Sequence, residues 1–243
     1  MTRDENLNRI KVVLQEPQDS ANIGSVCRAI KTMGITHLTV VGKREYNIDR
    51  LKSLSVHAFD LWEKATIVDT LDDALKGTAL SVAFTRRKGR YRKLSSWSPL
   101  ELAGIVEKYP DGEIALVFGR ENNGLTDEEV EKCNAVCTIE TSPIFPSLNL
   151  AQSVQIGAYM LFSNIKDHNN LPHAIGREKI DETTESAIDA LSLMGFFKES
   201  SDERESYTNF IKDFLSRGGF SESERQRIDK FFTKLSLISR FKK

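Results

Sequence analysis

This sequence of 243 residues lacks most of what secreted, membrane-spanning or metal-dependent proteins carry. Cysteine is scarce. Cys27, Cys133 and Cys137 are an odd number, which builds no disulfide framework and suits a reducing compartment. Cys133 and Cys137 have no second ligand pair at zinc-finger spacing. His37, His57, His168 and His173 are scattered, without an H-E-x-x-H or a carboxylate cluster, so no metal is expected. No apolar run approaches the roughly 18–20 residues that span a bilayer. The opening "MTRDENLNRIK" lacks the apolar core of a secretion signal. A cytoplasmic protein with no membrane partner is the expectation. No G-x-G-x-x-G follows the first apolar run, and no G-x-x-x-x-G-K-[ST] or G-x-S-x-G occurs. Dinucleotide, P-loop and serine-hydrolase chemistry lose their main support.

An excess of one charge is also missing. The net charge is −1, with 40% hydrophobic and 28% charged residues, an ordinary globular mixture. The distribution says more. "RRKGRYRK" (86–93) has six basic residues in eight, and residues 225–243 hold seven Lys/Arg against one Asp. Between them, residues 177–205 hold nine acids and four bases. Two concentrated basic stretches are the footprint a polyanion needs. A solvated charged loop explains either stretch alone equally well.

What is present is alternation. "IKVVLQE" (10–16), "THLTVVG" (36–42), "ATIVD" (65–69), "LSVAFT" (80–85), "EIALVFG" (113–119) and "VCTIE" (136–140) are short runs rich in Val, Ile and Thr. Helical segments lie between them. "SPLE" (98–101) has Ser98 as N-cap, Pro99 at the first helical position and Glu101 closing a capping box; "TDEE" (126–129) repeats the box. The pattern predicts an α/β domain over residues 1–165, with a mainly parallel sheet and helices on both faces. Residues 166–176, "KDHNNLPHAIG", read as a linker. Residues 177–243 read as helix only, with stops at Gly195 and Gly218–Gly219. A helical unit of about 70 residues is at the edge of stability alone and is expected to dock or dimerise. Trp62 and Trp97 are expected in the core or an interface.

Ligands of open α/β sheets bind at the carboxyl ends of strands, and three stretches sit there. "NIGSVCRAIKTMG" (22–34) opens a helix whose Ile23, Val26, Ile30 and Met33 share a face, with Cys27 on that apolar side and Arg28 on the opposite one. Gly24 would let a partner approach the backbone closely. A solvent-facing arginine on an amphipathic helix accounts for Arg28 just as simply. "ALVFGRENNGL" (115–125) runs from a buried strand into a polar, glycine-bounded loop, suited to a ligand or to a tight turn. "IFPSLNLAQSVQIGAYM" (144–160) sets Pro146, Ser147 and Asn149 before an apolar helix. Capping explains one such polar residue but not two and a proline.

In this order, the three stretches resemble the motifs of the SPOUT superfamily of RNA methyltransferases. "NIGSVCRAIKTMG" is similar to its first motif, N-x-G-x-x-x-R; "LVFGRENNGL" is similar to the second and "SLNLAQSVQ" to the third. Within the superfamily the chain is similar to the branch that methylates a tRNA ribose 2′-hydroxyl at nucleotide 32, whose members also carry a helical extension. The resemblance implies a trefoil-knotted α/β fold, a rare exception to the rule against threaded chains. It implies bent S-adenosylmethionine as cofactor, tRNA as partner, and a homodimer with active sites at the subunit interface. By position the cofactor cradle would be Phe84, Thr85 and Arg86, then Gly119, Ile139, Pro146, Ser147 and Leu148. Arg28 would be catalytic. A guanidinium does not release its proton in proteins, so Arg28 is expected to stabilise a developing alkoxide while a substrate phosphate or water takes the proton. Arg87, Arg90, Arg92 and Arg120 would grip the RNA backbone, and Asn22, Gly24, Glu121, Gly124 and Asn149 would support the site. Pro146 departs from the small polar residue usual there, and the stretch after residue 85 is longer and more basic than the pattern. Methylation of another tRNA position or of ribosomal RNA is a second reading. A non-catalytic RNA-binding protein is a third, of another class.

Overall fold

The computed structural model describes residues 2–86, 96–109, 111–165, 174–197 and 201–240. Each of the six apolar runs becomes a strand: β1 (Ile10–Gln15), β2 (His37–Val41), β3 (Thr66–Val68), β4 (Thr78–Phe84), β5 (Glu113–Phe118) and β6 (Ala135–Cys137). They form one sheet in the order β3-β2-β1-β5-β4-β6, with every pairing parallel. β6 ends three residues before its apolar run does. Beside it there runs Trp97, which donates to the Val136 carbonyl and accepts from the Thr138 amide.

The helices in chain order are α1 (Arg3–Asn8), α2 (Ser20–Thr32), α3 (Ile48–Ser55), α4 (Phe59–Glu63), α5 (Leu71–Leu75), α6 (Pro99–Val106), α7 (Asp127–Glu131), α8 (Leu150–Asn164), α9 (Arg177–Leu193), α10 (Ser201–Gly218) and α11 (Glu222–Arg240). On one sheet face, Ile10, Val12 and Leu14 join a large apolar cluster with Ile23 and Ile30 of α2, Leu102 of α6 and Val154 of α8. On the other face, Val13, Ala83 and Val117 are covered by the short α5 and α7 through Leu71, Leu75 and Val130. With both faces covered, all six residues of β1 are buried, as parallel strands require. Trp97 belongs to the larger cluster and Trp62 packs against it.

The capping boxes at Ser98 and Thr126 form as expected, with Pro99 at the start of α6. The place of Gly24 is a correction. Its bare Cα admits no outside partner but α3 of the same chain: a Cβ there would run into the Leu51 carbonyl oxygen and lie 3.0 Å from Leu54 Cβ.

The sheet grows one way from β1 to β2 and β3, then continues from the other side of β1 with β5, β4 and β6. Chain leaving β1 and β5 therefore departs to either side of a crevice at the carboxyl edge, the place where open α/β sheets hold ligands.

α9, α10 and α11 pack on one another around Ile180 and Leu215 and are joined to the sheet domain. The Ala174 amide donates to the Lys108 carbonyl and buried Tyr109 donates its hydroxyl to the Ser216 carbonyl at 3.2 Å, while within the tail Ile175 donates to the Phe220 carbonyl at 2.7 Å. Of the segment read as a linker, residues 166–173 lie outside the described residues.

Candidate active site

At the carboxyl edge of the sheet, Phe84 of β4 and Phe118 of β5 stack with centroids 4.4 Å apart. Gly157 lets α8 press onto them, since a Cβ there would stand 3.0 Å from the Phe84 ring. Beyond Phe118 the chain turns back on itself. The amide of Arg120 donates to the Gly124 carbonyl and the amide of Gly124 to the Arg120 carbonyl. Gly119 is required because a Cβ would overlap the Gly124 and Leu125 main chain; Gly124 adopts φ +66°.

This loop sends Glu121 toward the start of α2. The Glu121 carboxylate accepts from the amides of Gln18 (2.9 Å) and Asp19 (3.0 Å) and from Nδ2 of Asn22 (3.0 Å). Asn22 in turn accepts through Oδ1 from Nδ2 of Asn149, at 2.8 Å. Asn149 caps α8, its Oδ1 accepting from the Ala151 and Gln152 amides. One hydrogen-bonded chain thus ties together the three stretches singled out in the sequence. It also accounts for an asparagine before α8: capping uses one end of its amide, and contact with α2 the other.

The cleft beside this chain is lined by Phe84, Thr85 and Arg86 at the end of β4, by Gly119 and Ile139, and by Pro146, Ser147 and Leu148 before α8. All eight residues expected to cradle a cofactor border one space. Sequence reasoning missed Phe118, Asn123, Cys137, Thr141, Leu150 and Ser153, which also line it. Asn123 carried a signal, being in the same polar loop. Thr141 carried none; it donates to the Pro146 carbonyl at 3.2 Å and so fixes the rim. Thr138 likewise donates to the Thr85 carbonyl at 2.8 Å. Cys137 lies at the bottom, its thiol kept protonated by burial. Cys27 of α2 is fully buried, and burial pushes its thiol up to about 12, away from nucleophilic use.

Arg28 is exposed on α2 and is not among the residues lining the cleft of its own chain. Among the described residues its guanidinium has no carboxylate partner. Arg87, Arg90 and Arg92 lie outside the described residues. Arg120 departs from the expectation that it grips RNA. Its guanidinium is only 15% exposed and is spent inside the chain, on Glu16 at 2.8 Å and on both oxygens of Glu129 at 2.9 and 3.1 Å. Burial alone would raise the Glu129 carboxyl, yet the Arg120 hydrogen bonds hold it below the usual carboxylate range; the same bonds raise Arg120. The arginine closes the loop rather than offering itself to a ligand.

Three motif loops are thus tied into one cleft at the carboxyl edge of a parallel sheet. Residues 9–159 match the SpoU rRNA methylase family, and the chain belongs to it. The tRNA (cytidine/uridine-2′-O-)-methyltransferase TrmJ of Yersinia pestis is 41% identical over 157 residues, covering 63% of this chain and 60% of that protein. An uncharacterised tRNA/rRNA methyltransferase of Haemophilus influenzae is 37% identical over 169 residues, 70% of this chain and 69% of that protein. The alignment thus spans about 60% of the length of the TrmJ relative. Among solved structures, a probable methylase family protein of Haemophilus influenzae superposes with a TM-score of 0.69 at 28% identity, over 98% of this chain and 100% of that one. TrmJ of Zymomonas mobilis (Z. mobilis ZM4) shares the fold at a TM-score of 0.66 and 22% identity, over 93% of this chain and 98% of that one. Both cover the helical tail as well as the sheet domain. Among the described residues no helix is long and apolar enough to cross a membrane.

Proposed function

We propose that this protein transfers a methyl group from S-adenosylmethionine to a ribose 2′-hydroxyl of tRNA, on cytidine or uridine, at nucleotide 32. The observation that carries the reading is the hydrogen-bonded chain Glu121–Asn22–Asn149, which gathers the three family motifs around one cleft. The name of the 41% identical relative supports the tRNA ribose as substrate. We extend the proposal to the trefoil threading of the superfamily and to a cytoplasmic homodimer.

The residues present suit the cofactor. The Phe84–Phe118 floor is apolar, and side-chain-free Gly119 leaves main chain open at the wall, a setting for an adenine held by backbone donors and acceptors. The Glu121 carboxylate, held by neutral donors only, adds negative charge beside the place of a sulfonium. Phe84, Thr85, Arg86, Ile139, Pro146, Ser147 and Leu148 would complete the cradle. When bound, S-adenosylmethionine supplies an activated methyl group with a good leaving group. The protein then has to align the ribose and exclude water. Arg28 is exposed on α2 and is not among the residues lining its own chain's cleft, so we assign it to the partner copy's site in the proposed homodimer. There it stabilises the alkoxide as it develops, and a phosphate or water takes the proton. Arg87, Arg90 and Arg92 hold the RNA backbone, and Arg120 braces the second motif.

Unmodified tRNA incubated with the protein and S-adenosylmethionine, then digested to nucleosides, is expected to yield 2′-O-methylcytidine or 2′-O-methyluridine by mass spectrometry. Base-methylated nucleosides, or none, would remove the proposal; methylation of ribosomal RNA alone would move it to the second substrate.

A further inference from the structure

The rim of the cleft carries two side chains that the cradle does not use. Ile144 is 93% and Phe145 78% exposed, the most exposed large apolar side chains among the described residues. They do not stand out for want of anchoring. Thr141 donates to the Pro146 carbonyl, and Ser142 Oγ accepts from the Ile144 amide at 3.3 Å, so the loop is clasped on both sides of the pair. Thr141, Pro146, Ser147 and Leu148 of this same loop line the cleft. A phenylalanine is therefore held in water one residue from the cofactor wall.

We propose that Phe145 is the platform on which the base of the acceptor nucleotide stacks while its ribose enters the cleft. The inference rests on the ribose methylation proposed above. A ribose whose 2′-oxygen points into the cleft carries its base on the adjacent carbon, so the base comes to lie at the mouth, beside the rim. To bring it there the nucleotide leaves its own stack, and an aromatic face at the mouth replaces what is lost. The stretch of chain around Phe145, Ser142, Pro143, Ile144 and Pro146, carries no charged side chain. It therefore offers a flat apolar surface that fits the π-face of any base, and it grips without reading hydrogen-bond edges.

The test compares Phe145→Ala, Phe145→Tyr and Phe145→Trp with the unsubstituted protein, on unmodified tRNA transcripts. Phe145→Ala is expected to raise KM for the transcripts about tenfold, with cofactor affinity by calorimetry and oligomeric state by sedimentation unchanged. Phe145→Tyr should keep KM near that of the unsubstituted protein. The new indole of Phe145→Trp should be quenched by transcripts beyond any change seen for Trp62 and Trp97. An unchanged KM in Phe145→Ala with no added quenching would overturn the inference. A shift in its sedimentation would also overturn it, and assign the rim to contact between copies of this chain. If the unsubstituted protein methylates no ribose, the proposed function fails on its own account; the quenching measurement still decides whether a base stacks at residue 145.

Discussion

Asn22 shows how much one side chain can hold when its two ends differ. Its amide nitrogen faces the Glu121 carboxylate, which accepts only, so the oxygen must face Asn149, and the orientation of the group is fixed. Asn22 and Asn149 stand out in the sequence as polar residues at helix starts, yet their contact, 127 residues apart along the chain, is a property of the fold alone. Arg120 shows the reverse. A basic residue in a glycine-bounded loop reads as a ligand contact, because nothing local reveals Glu16, 104 residues earlier, or the part Glu129 plays besides its capping box. Thr141 and Thr138 gave no sign either, since their hydroxyls donate to backbone carbonyls. Arg28 remains free of such partners among the described residues. Arg28→Ala is expected to lower methyl transfer by about a hundredfold or more, with cofactor affinity by calorimetry changed only a few-fold. Near-normal turnover would take Arg28 out of the reaction.

Strands were the legible elements. Burial on both faces makes a parallel strand a continuous apolar run, and the six runs of this sequence are strands, the exposed edge strand β3 included. Short helices were not legible. α4 and α5 have five residues each, too few for a helical period to show. α9 starts at Arg177, where the helical reading begins, although its N-cap is Gly176, without a side-chain cap bond to announce it. Close packing of α2 on α3 gives a test at this scale. Gly24→Ala puts a methyl group against the Leu51 carbonyl and is expected to destabilise the fold by about 1–3 kcal/mol, read from denaturant midpoints. The tail gives another. Glu222, at the start of α11, is drawn down to about 2, first by its hydrogen bonds to Arg225 and then by Lys179 of α9. A carboxyl lowered in the folded state stabilises above its ordinary value and ceases to do so as the pH falls through the folded one. Thermal stability should thus decline between about pH 4.5 and 2, and Glu222→Gln should decline less over the same range. The effect is small, because the side chain is 40% exposed.

Over the whole molecule, the tail is not a loose appendage. Tyr109 gives its hydroxyl to α10 while its ring is buried, and the chain entering α9 pairs with Lys108 and Phe220. RNA contact is expected to draw on the basic stretch after β4. Replacing Arg87, Arg90 and Arg92 together should weaken tRNA binding and flatten its log–log salt dependence by about two units, on the roughly 0.7 per phosphate contact of single strands. Filter binding over a range of salt concentrations would show it; an unchanged slope would mean these arginines touch no phosphate. The link from Glu121 through Asn22 to Asn149 also has a meaning for synthesis. Residue 22 leaves the ribosome long before residues 121 and 149, and β1 must await β5 to be flanked on both sides. On the proposed function, a nascent chain is therefore expected to ignore the methyl donor until about 60% of it has emerged, so that the donor would steady the finished protein without guiding its making.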